Sequence, residues 1–267
     1  MRVAFVGKGG AGKSTIVGTF ARLLARQGHP VVAVDSDPMP GLSFALGLPV
    51  VERPFPDDSV VERSEGEDGP RYRLRPGLDA TAAIEAYAAR GADGVRFLSF
   101  GKTRGEWGDI ARGQHAWSQI LDELPRGTFD LVGDLPGGTR QPMSGWGKYA
   151  DVMVIVVDPT PTSCATARRL ATLRDSKWEY RHVVAVANRV IDPGDSALVA
   201  LRTGLEVIGE LPLDELVAAA DRLGIAPLDG ACDGPFVAAV AALVDYCITR
   251  FPEDPHHRQN EPQEDVA

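Results

Sequence analysis

Two lysines, a serine and three spaced glycines stand close together near the start of the chain, in FVGKGGAGKSTIV, residues 5–17. Residues of these types at this spacing bind anions. Small residues let successive backbone N–H groups converge on one phosphate chain, and a helix opening behind them adds its positive end. Two fingerprints overlap in the stretch. Gly7, Gly9 and Gly12 satisfy G-x-G-x-x-G, the pattern of a dinucleotide site. Gly7, Gly12, Lys13 and Ser14 satisfy G-x-x-x-x-G-K-[ST], the pattern of a mononucleotide site.

Lys13 and Ser14 decide between them. Both fall in the opening turn of the following helix, where a lysine reaches the β- and γ-phosphates and a hydroxyl binds Mg²⁺. A dinucleotide site has no use for a buried cation there. The downstream acids agree. A strand ends in FDLVGDLPGG with Asp130 and Asp134, and another in VDSDP with Asp35 and Asp37. A mononucleotide–Mg²⁺ site needs such carboxylates. Asp35 and Asp37 point the same way along an extended segment. They are read either as turn and helix-capping aspartates or as groups that orient a metal-bound or attacking water at the edge of a sheet.

These residues need a sheet to hold them. Short β-branched runs alternate with helical patterns, which predicts an α/β, doubly wound, mostly parallel sheet with helices on both faces. Strands are predicted over 2–6, 31–35, 95–100, 129–134, 152–157, 182–187 and 206–210, and helices over 13–27, 114–124, 162–175, 195–203, 213–223 and 234–249. VVAV, VMVIVV and VVAVA are continuously apolar, as strands covered on both faces are. FVAAVAALVDYCI suits a helix packed around most of its circumference. Residues 1–251 read as one domain. Within it 51–77, charged and rich in proline and glycine, is an excursion from the sheet with room for a short hairpin, and 252–267 reads as a disordered acidic tail.

Composition narrows the class. The chain has 267 residues, 44% hydrophobic and 24% charged, enough for one large soluble domain. Its net charge of −9 argues against a dedicated nucleic-acid binder. No apolar run approaches the ~18 residues of a membrane span, and no signal peptide is evident, so a cytoplasmic protein is expected. Cys164, Cys232 and Cys247 form no C-x-x-C or C-x-C pair, which gives no sequence basis for a zinc or iron–sulfur site within one chain.

KGGAGKST resembles the deviant Walker A motif of the MinD/ParA and nitrogenase-iron-protein class of P-loop ATPases, and further motifs follow in the expected order over roughly residues 1–250. The resemblance implies a sheet of seven or eight strands. VDSDP is similar to switch I and FDLVGDLPGG to switch II. ANRV resembles the adenine-recognition segment, through Asn188, and GELPLDE the stretch that closes over the base, Pro212, Leu213 and Asp214. FLSFGKTRGEWGDIARGQHAWSQIL is most similar to the CO-dehydrogenase maturation (CooC-like) ATPases. Their C-x-C metal motif falls near Ile110 and Arg112 here, and Pro136 stands where nitrogenase iron proteins carry a switch II cysteine. The scaffold matches while those thiolate ligands are absent.

The resemblance implies Mg²⁺-dependent ATP hydrolysis. Backbone N–H groups of Gly9, Gly10, Ala11 and Gly12, with Lys13, would hold the phosphates, and Thr15 the α-phosphate. Ser14 would ligate Mg²⁺, and Asp35 and Asp134 would bind it through water. Asp37 would orient the attacking water. Lys8 would cross a homodimer interface to the partner's nucleotide. The leading expectation is a switch protein that assists maturation of an unknown client (metallo)enzyme. The others are a MinD/ParA-type positioning ATPase binding DNA or membrane, and a regulator that binds nucleotide without appreciable hydrolysis. The acidic, proline-broken tail counts against membrane binding. The 51–77 excursion and the 101–114 loop are candidate client contacts, with an ordinary surface loop an equal reading for the first.

Overall fold

A computed structural model describes residues 1–37, 41–50, 59–64, 66, 68, 71–100, 107–178, 180–231 and 233–253, with the backbone alone for 107–112. The sequence expectations for 51–58, Ile110, Arg112, Cys232 and the tail from 254 lie outside the described side chains. Strands β1 (Arg2–Gly7) and β2 (Val31–Asp35) come first, then β3 (Val60–Glu62) and β4 (Tyr72–Leu74), then β5 (Ala89–Arg90), β6 (Arg96–Ser99), β7 (Asp130–Asp134), β8 (Val152–Val157), β9 (His182–Val190) and β10 (Val207–Pro212). The helices are α1 (Lys13–Arg26), α2 (Leu42–Ala45), α3 (Ala80–Tyr87), α4 (Trp107–Glu123), α5 (Arg140–Met143), α6 (Pro161–Ala171), α7 (Asp195–Thr203), α8 (Glu215–Arg222), α9 (Pro227–Gly230) and α10 (Pro235–Arg250).

Eight strands form one sheet in the order β10-β9-β8-β1-β7-β2-β6-β5. Pairing is parallel throughout except at the β5–β6 edge. Alternation along each strand feeds two cores. Ala4, Val6, Met153, Ile155 and Val157 face α3, α4, α6 and α7 through Ile84, Trp117, Ile120, Leu170 and Val199. Val3, Phe5, Val152, Val154 and Val156 face α1, α2, α9 and α10 through Ile16, Phe20, Leu42, Leu228 and Val240. Both faces are therefore covered, which is why the strands read as unbroken apolar runs. β1 lies between β8 and β7, so its carboxyl end opens at a topological switch point, where doubly wound sheets bind ligands.

The predicted strands all form, and β5 adds an eighth. The 51–77 excursion contains the β3–β4 antiparallel hairpin, paired Val60 to Leu74 and Glu62 to Tyr72. Two expectations need correction. Helix α4 starts at Trp107 and not near 114. Gly108 and Gly113 depress local helix propensity by about 1 kcal/mol each, but Ala116, Trp117, Ile120 and Leu121 anchor the helix on the sheet. Helix α10 buries one stripe only, Phe236, Val237, Val240, Leu243, Val244 and Cys247. Alanines on its outer side made it read as apolar all round.

Arg22 of α1 is the largest fully buried side chain. Its guanidinium donates to both oxygens of Asp229 in α9 at 2.8 Å, and its Nε donates to Asp93 at 2.6 Å. It ties α1 to two segments distant in sequence. Arg22→Ala is expected to lower unfolding stability by about 2–3 kcal/mol, below the ~3–5 kcal/mol of a fully buried pair, because both carboxylates keep some solvent. Urea titration checks it; a loss no larger than that of an exposed arginine contradicts the assignment.

Candidate nucleotide-binding site

The glycine loop leaves the buried strand β1 at Gly7 and enters α1 at Lys13. Gly12 has φ +84°, a left-handed conformation, and a Cβ there would lie 2.6 Å from Nδ2 of Asn188. That amide donates to the carbonyl of Ala11 at 2.8 Å. Asn188, expected at the adenine, therefore also clamps the loop from the end of β9. Lys13 is only 7% exposed, and its ammonium donates to the Lys8 carbonyl at 3.3 Å. The same carbonyl accepts from Ala11 N–H at 3.2 Å. Gly9 and Gly10 are open to solvent, and Lys8, Ser14 and Thr15 are half-buried.

Asp35 and Asp134 are register partners on the adjacent parallel strands β2 and β7. Partners in a parallel pair project to the same side roughly 5 Å apart, so two carboxylates share one buried place. Burial pushes the Asp35 carboxyl up to about 8, and the neighbouring Asp134 adds to the shift. Burial likewise raises Asp134, to about 6, opposed by the Ser14 hydroxyl and the Lys13 charge. Ser14 Oγ donates to Asp134 Oδ2 at 2.5 Å, while Asp134 Oδ1 is buried with no hydrogen-bond partner among the described residues. Asp35 accepts backbone N–H groups from Asp37 at 2.8 Å and Leu42 at 3.2 Å, one on each oxygen. Asp35 thus caps its turn, as the first sequence reading has it, and it lies beside the acid that faces Ser14. Asp37 follows, half-buried.

Switch II lies directly on the phosphate loop. Gly138 N–H donates to the Gly7 carbonyl at 2.9 Å. Gly137 passes so close that a Cβ on it would be 2.5 Å from Cα of Gly9. Gly133, in the same motif, lies inside β7. Its missing side chain makes room for the buried Tyr149 hydroxyl, 1.7 Å from where its Cβ would be.

Other placements differ from the sequence reading. Asp130 begins β7 at the opposite end of the strand from Asp134 and pairs with His29 Nδ1 at 2.7 Å, so it is no part of this site. The Asp214 carboxylate is occupied: one oxygen accepts from Leu216 N–H at 2.9 Å and the other from Phe236 N–H at 3.2 Å, capping α8 and helping to close the start of α10. Pro212 ends β10, and Leu213, 52% exposed, bonds its N–H to the Val190 carbonyl. Sequence reasoning missed Asp158. It follows β8, is buried, lies 3.5 Å from Arg189 Nη1, and has an Oδ1 with no hydrogen-bond partner among the described residues. Burial raises its carboxyl, against Arg189, Lys8 and Lys13. Its position just past a central strand was the available signal. Cys164 and Cys247 are buried thiols, the latter pushed by burial up to about 12. Among the described residues no three His, Cys, Asp or Glu side chains converge as a metal cage.

The cradle suits a phosphate chain, and the buried, unpartnered Asp134 oxygen beside the Ser14 hydroxyl suits a hydrated Mg²⁺. Residues 3–228 match the CobQ/CobB/MinD/ParA nucleotide binding domain. The chain belongs to that family. Among its relatives is the carbon monoxide dehydrogenase accessory protein CooC of Rhodospirillum rubrum, 29% identical over 92% of this chain and 97% of that one. An uncharacterized ATP-binding protein of Methanocaldococcus jannaschii is 28% identical over 84% and 90% of the two chains. The fold is that of the septum site-determining protein MinD of Pyrococcus horikoshii, solved with Mg-ADP. The TM-score is 0.68 and the identity 17%, over 91% of this chain and 93% of that one. As a CobQ/CobB/MinD/ParA member, the chain is an ATP-binding P-loop protein of MinD/ParA/CooC type, and among the described residues no helix is long and apolar enough to cross a membrane.

Proposed function

We propose that this chain is an Mg²⁺-dependent ATPase that closes as a homodimer around ATP and assists assembly of a client metalloenzyme. The observation that carries the reading is the latch between switch II and the phosphate loop: Ser14 to Asp134, Gly138 to Gly7, and Gly137 against Gly9. Any group filling the cradle meets both segments at once, so a γ-phosphate biases a loop that can report it.

Lys13 exchanges its bond to the Lys8 carbonyl for phosphate oxygens, and backbone N–H groups from Gly9 to Gly12 receive the rest. Thr15 stands next in the first turn of α1, at the α-phosphate. Ser14 and Asp134 would hold Mg²⁺, which would supply positive charge beside the β- and γ-phosphates. Asp35 holds the backbone of Asp37 and Leu42, and so sets where Asp37 presents its carboxylate to the attacking water. Asn188 keeps the loop in register and offers its amide edge to the base. Pro212, Leu213 and the backbone of Asp214 line the path over it.

The raised Asp35 and Asp134 carboxyls give this reading a pH signature. The Asp35 and Asp134 carboxyls would have to ionise beside Mg²⁺, so binding of Mg·ADP should release protons and strengthen as pH rises from about 6 to about 8. The gain is at most about tenfold per pH unit for each proton released. Calorimetry in buffers of different ionisation enthalpy checks it. A binding heat that does not depend on the buffer across that window contradicts the paired-acid site.

The CooC relative directs the client reading. Asp37→Ala is expected to hold ATP without turning it over, which fixes the closed state. Capture on this variant in ATP should recover a metalloenzyme or its assembly factor. Recovery of DNA or cell-division proteins alone would sink the client proposal.

A further inference from the structure

A groove of about 580 Å³ opens between the switch II loop and helix α6. Gly138 and Thr139 form one wall, and Thr166, Arg168, Arg169 and Thr172 form the other. Arg168 and Arg169 are exposed, and neither guanidinium makes an ion pair or a hydrogen bond among the described residues. The same holds for Arg140, the exposed residue that follows Thr139. Other arginines are spent on carboxylates, as at Arg2, Arg22, Arg90, Arg96 and Arg126, or are exposed without an ion pair among the described residues, as at Arg202 and Arg222; Arg168 and Arg169 differ in lining a groove. A chain of net charge −9 thus keeps unpaired guanidinium groups around one concavity.

We propose that this groove docks an acidic, carboxylate-rich segment of a partner protein. Planar guanidinium groups match carboxylates two bonds at a time, and the Thr139 hydroxyl flanks them, while those of Thr166 and Thr172 already donate to the carbonyls of Thr162 and Arg169. The overall negative charge opposes long polyanions and anionic surfaces, whose fields sum over the whole molecule. A short acidic segment meets only the local cations, within one Debye length of about 8–10 Å. The position gives the contact a consequence. Gly138 lines the groove and bonds to Gly7 of the phosphate loop, so a seated segment touches the loop through which nucleotide would act. That last link rests on the proposed ATPase function; the docking itself does not.

The test is fluorescence anisotropy with a short labelled Glu/Ser peptide and nucleotide-free protein. Binding that weakens with salt is expected. The double variant Arg168→Glu, Arg169→Glu should lose at least about tenfold in affinity. The control Arg202→Glu, Arg222→Glu, on exposed positions of α7 and α8, should stay within about twofold. Circular dichroism confirms that both variants fold. Equal losses in both, or no loss in the first, overturn the proposal. So does a short duplex DNA, or vesicles containing an anionic phospholipid, that binds through the same arginines at least as tightly as the peptide. Adding Mg·ATP should shift the peptide affinity at least about threefold. Unchanged affinity with ATP demonstrably bound overturns the link to switch II. Failure of ATP to bind counts against the ATPase reading and leaves the docking result standing.

Discussion

Lys8→Ala should lower ATP turnover by a factor on the order of 10³ or more, the scale of a charge supplied to a phosphoryl group by a partner chain. It should leave stability within about 0.5 kcal/mol. The two halves of this expectation come from different atoms of one residue. The Lys8 carbonyl is structural, accepting from Ala11 N–H and from the Lys13 ammonium, and alanine preserves it. The side chain is half-buried and makes no hydrogen bond or ion pair among the described residues, though its charge is felt by Asp158. A cation that its own chain leaves unbonded is available to another. The decisive measurement mixes two inactive proteins. Lys8→Ala has an intact cradle, and Lys13→Ala has an intact Lys8. If Lys8 acts across a dimer, the mixture regains phosphate release that neither protein shows alone. Full activity in Lys8→Ala, or a mixture no better than its parts, rules out a cation in trans.

Why the loop was legible in the sequence and its surroundings were less so follows from how each is encoded. The phosphate cradle is local: Gly12, Lys13 and Ser14 act through backbone geometry and helix position that adjacent residues fix, so spacing alone revealed them. The strands were legible because burial on both faces writes an unbroken apolar run, as in VMVIVV. Edge strand β5 carries two residues, Ala89 and Arg90, and leaves no such run. The acids were harder. Asp130 and Asp134 look equivalent in FDLVGD, yet they sit at opposite ends of one strand, and only the strand's direction in the sheet separates them. Asp214 looked like a base contact because GELPLDE resembles the stretch that closes over the base in the family. Its carboxylate is held by N–H groups of Leu216 and Phe236, the second from a residue far along the chain. Asn188 was legible in ANRV, but its bond to the Ala11 carbonyl crosses from the end of β9 and no local pattern records it; Asp158 offered only its place just past a central strand.

Asp134→Asn is expected to make the nucleotide-free protein more stable and the enzyme nearly inactive. In the wild type the two carboxyls have folded-state values of about 8 and about 6 against an ordinary 3.8. Between those limits the folded protein binds more protons than the unfolded chain, so stability falls as pH rises from about 4 toward about 8. An amide at position 134 keeps an oxygen for the Ser14 hydroxyl while removing one charge of the pair, and it relieves Asp35 as well. Near pH 8 the variant should gain about 1 kcal/mol or more, a rise of a few degrees in Tm. Near pH 4, where both groups are protonated, the gain should vanish. Turnover should move the other way, falling by on the order of 10²-fold or more, because a neutral amide no longer supports charge on Mg²⁺ beside the phosphates. A stabilised but inactive variant would mark Asp134 as a group held ionised for function at the expense of the fold. A thermal melt series across pH, run beside a phosphate-release assay, reads both effects. If Asp134→Asn loses stability at pH 8, or keeps its Mg²⁺-dependent turnover, the paired-acid site is not the metal site.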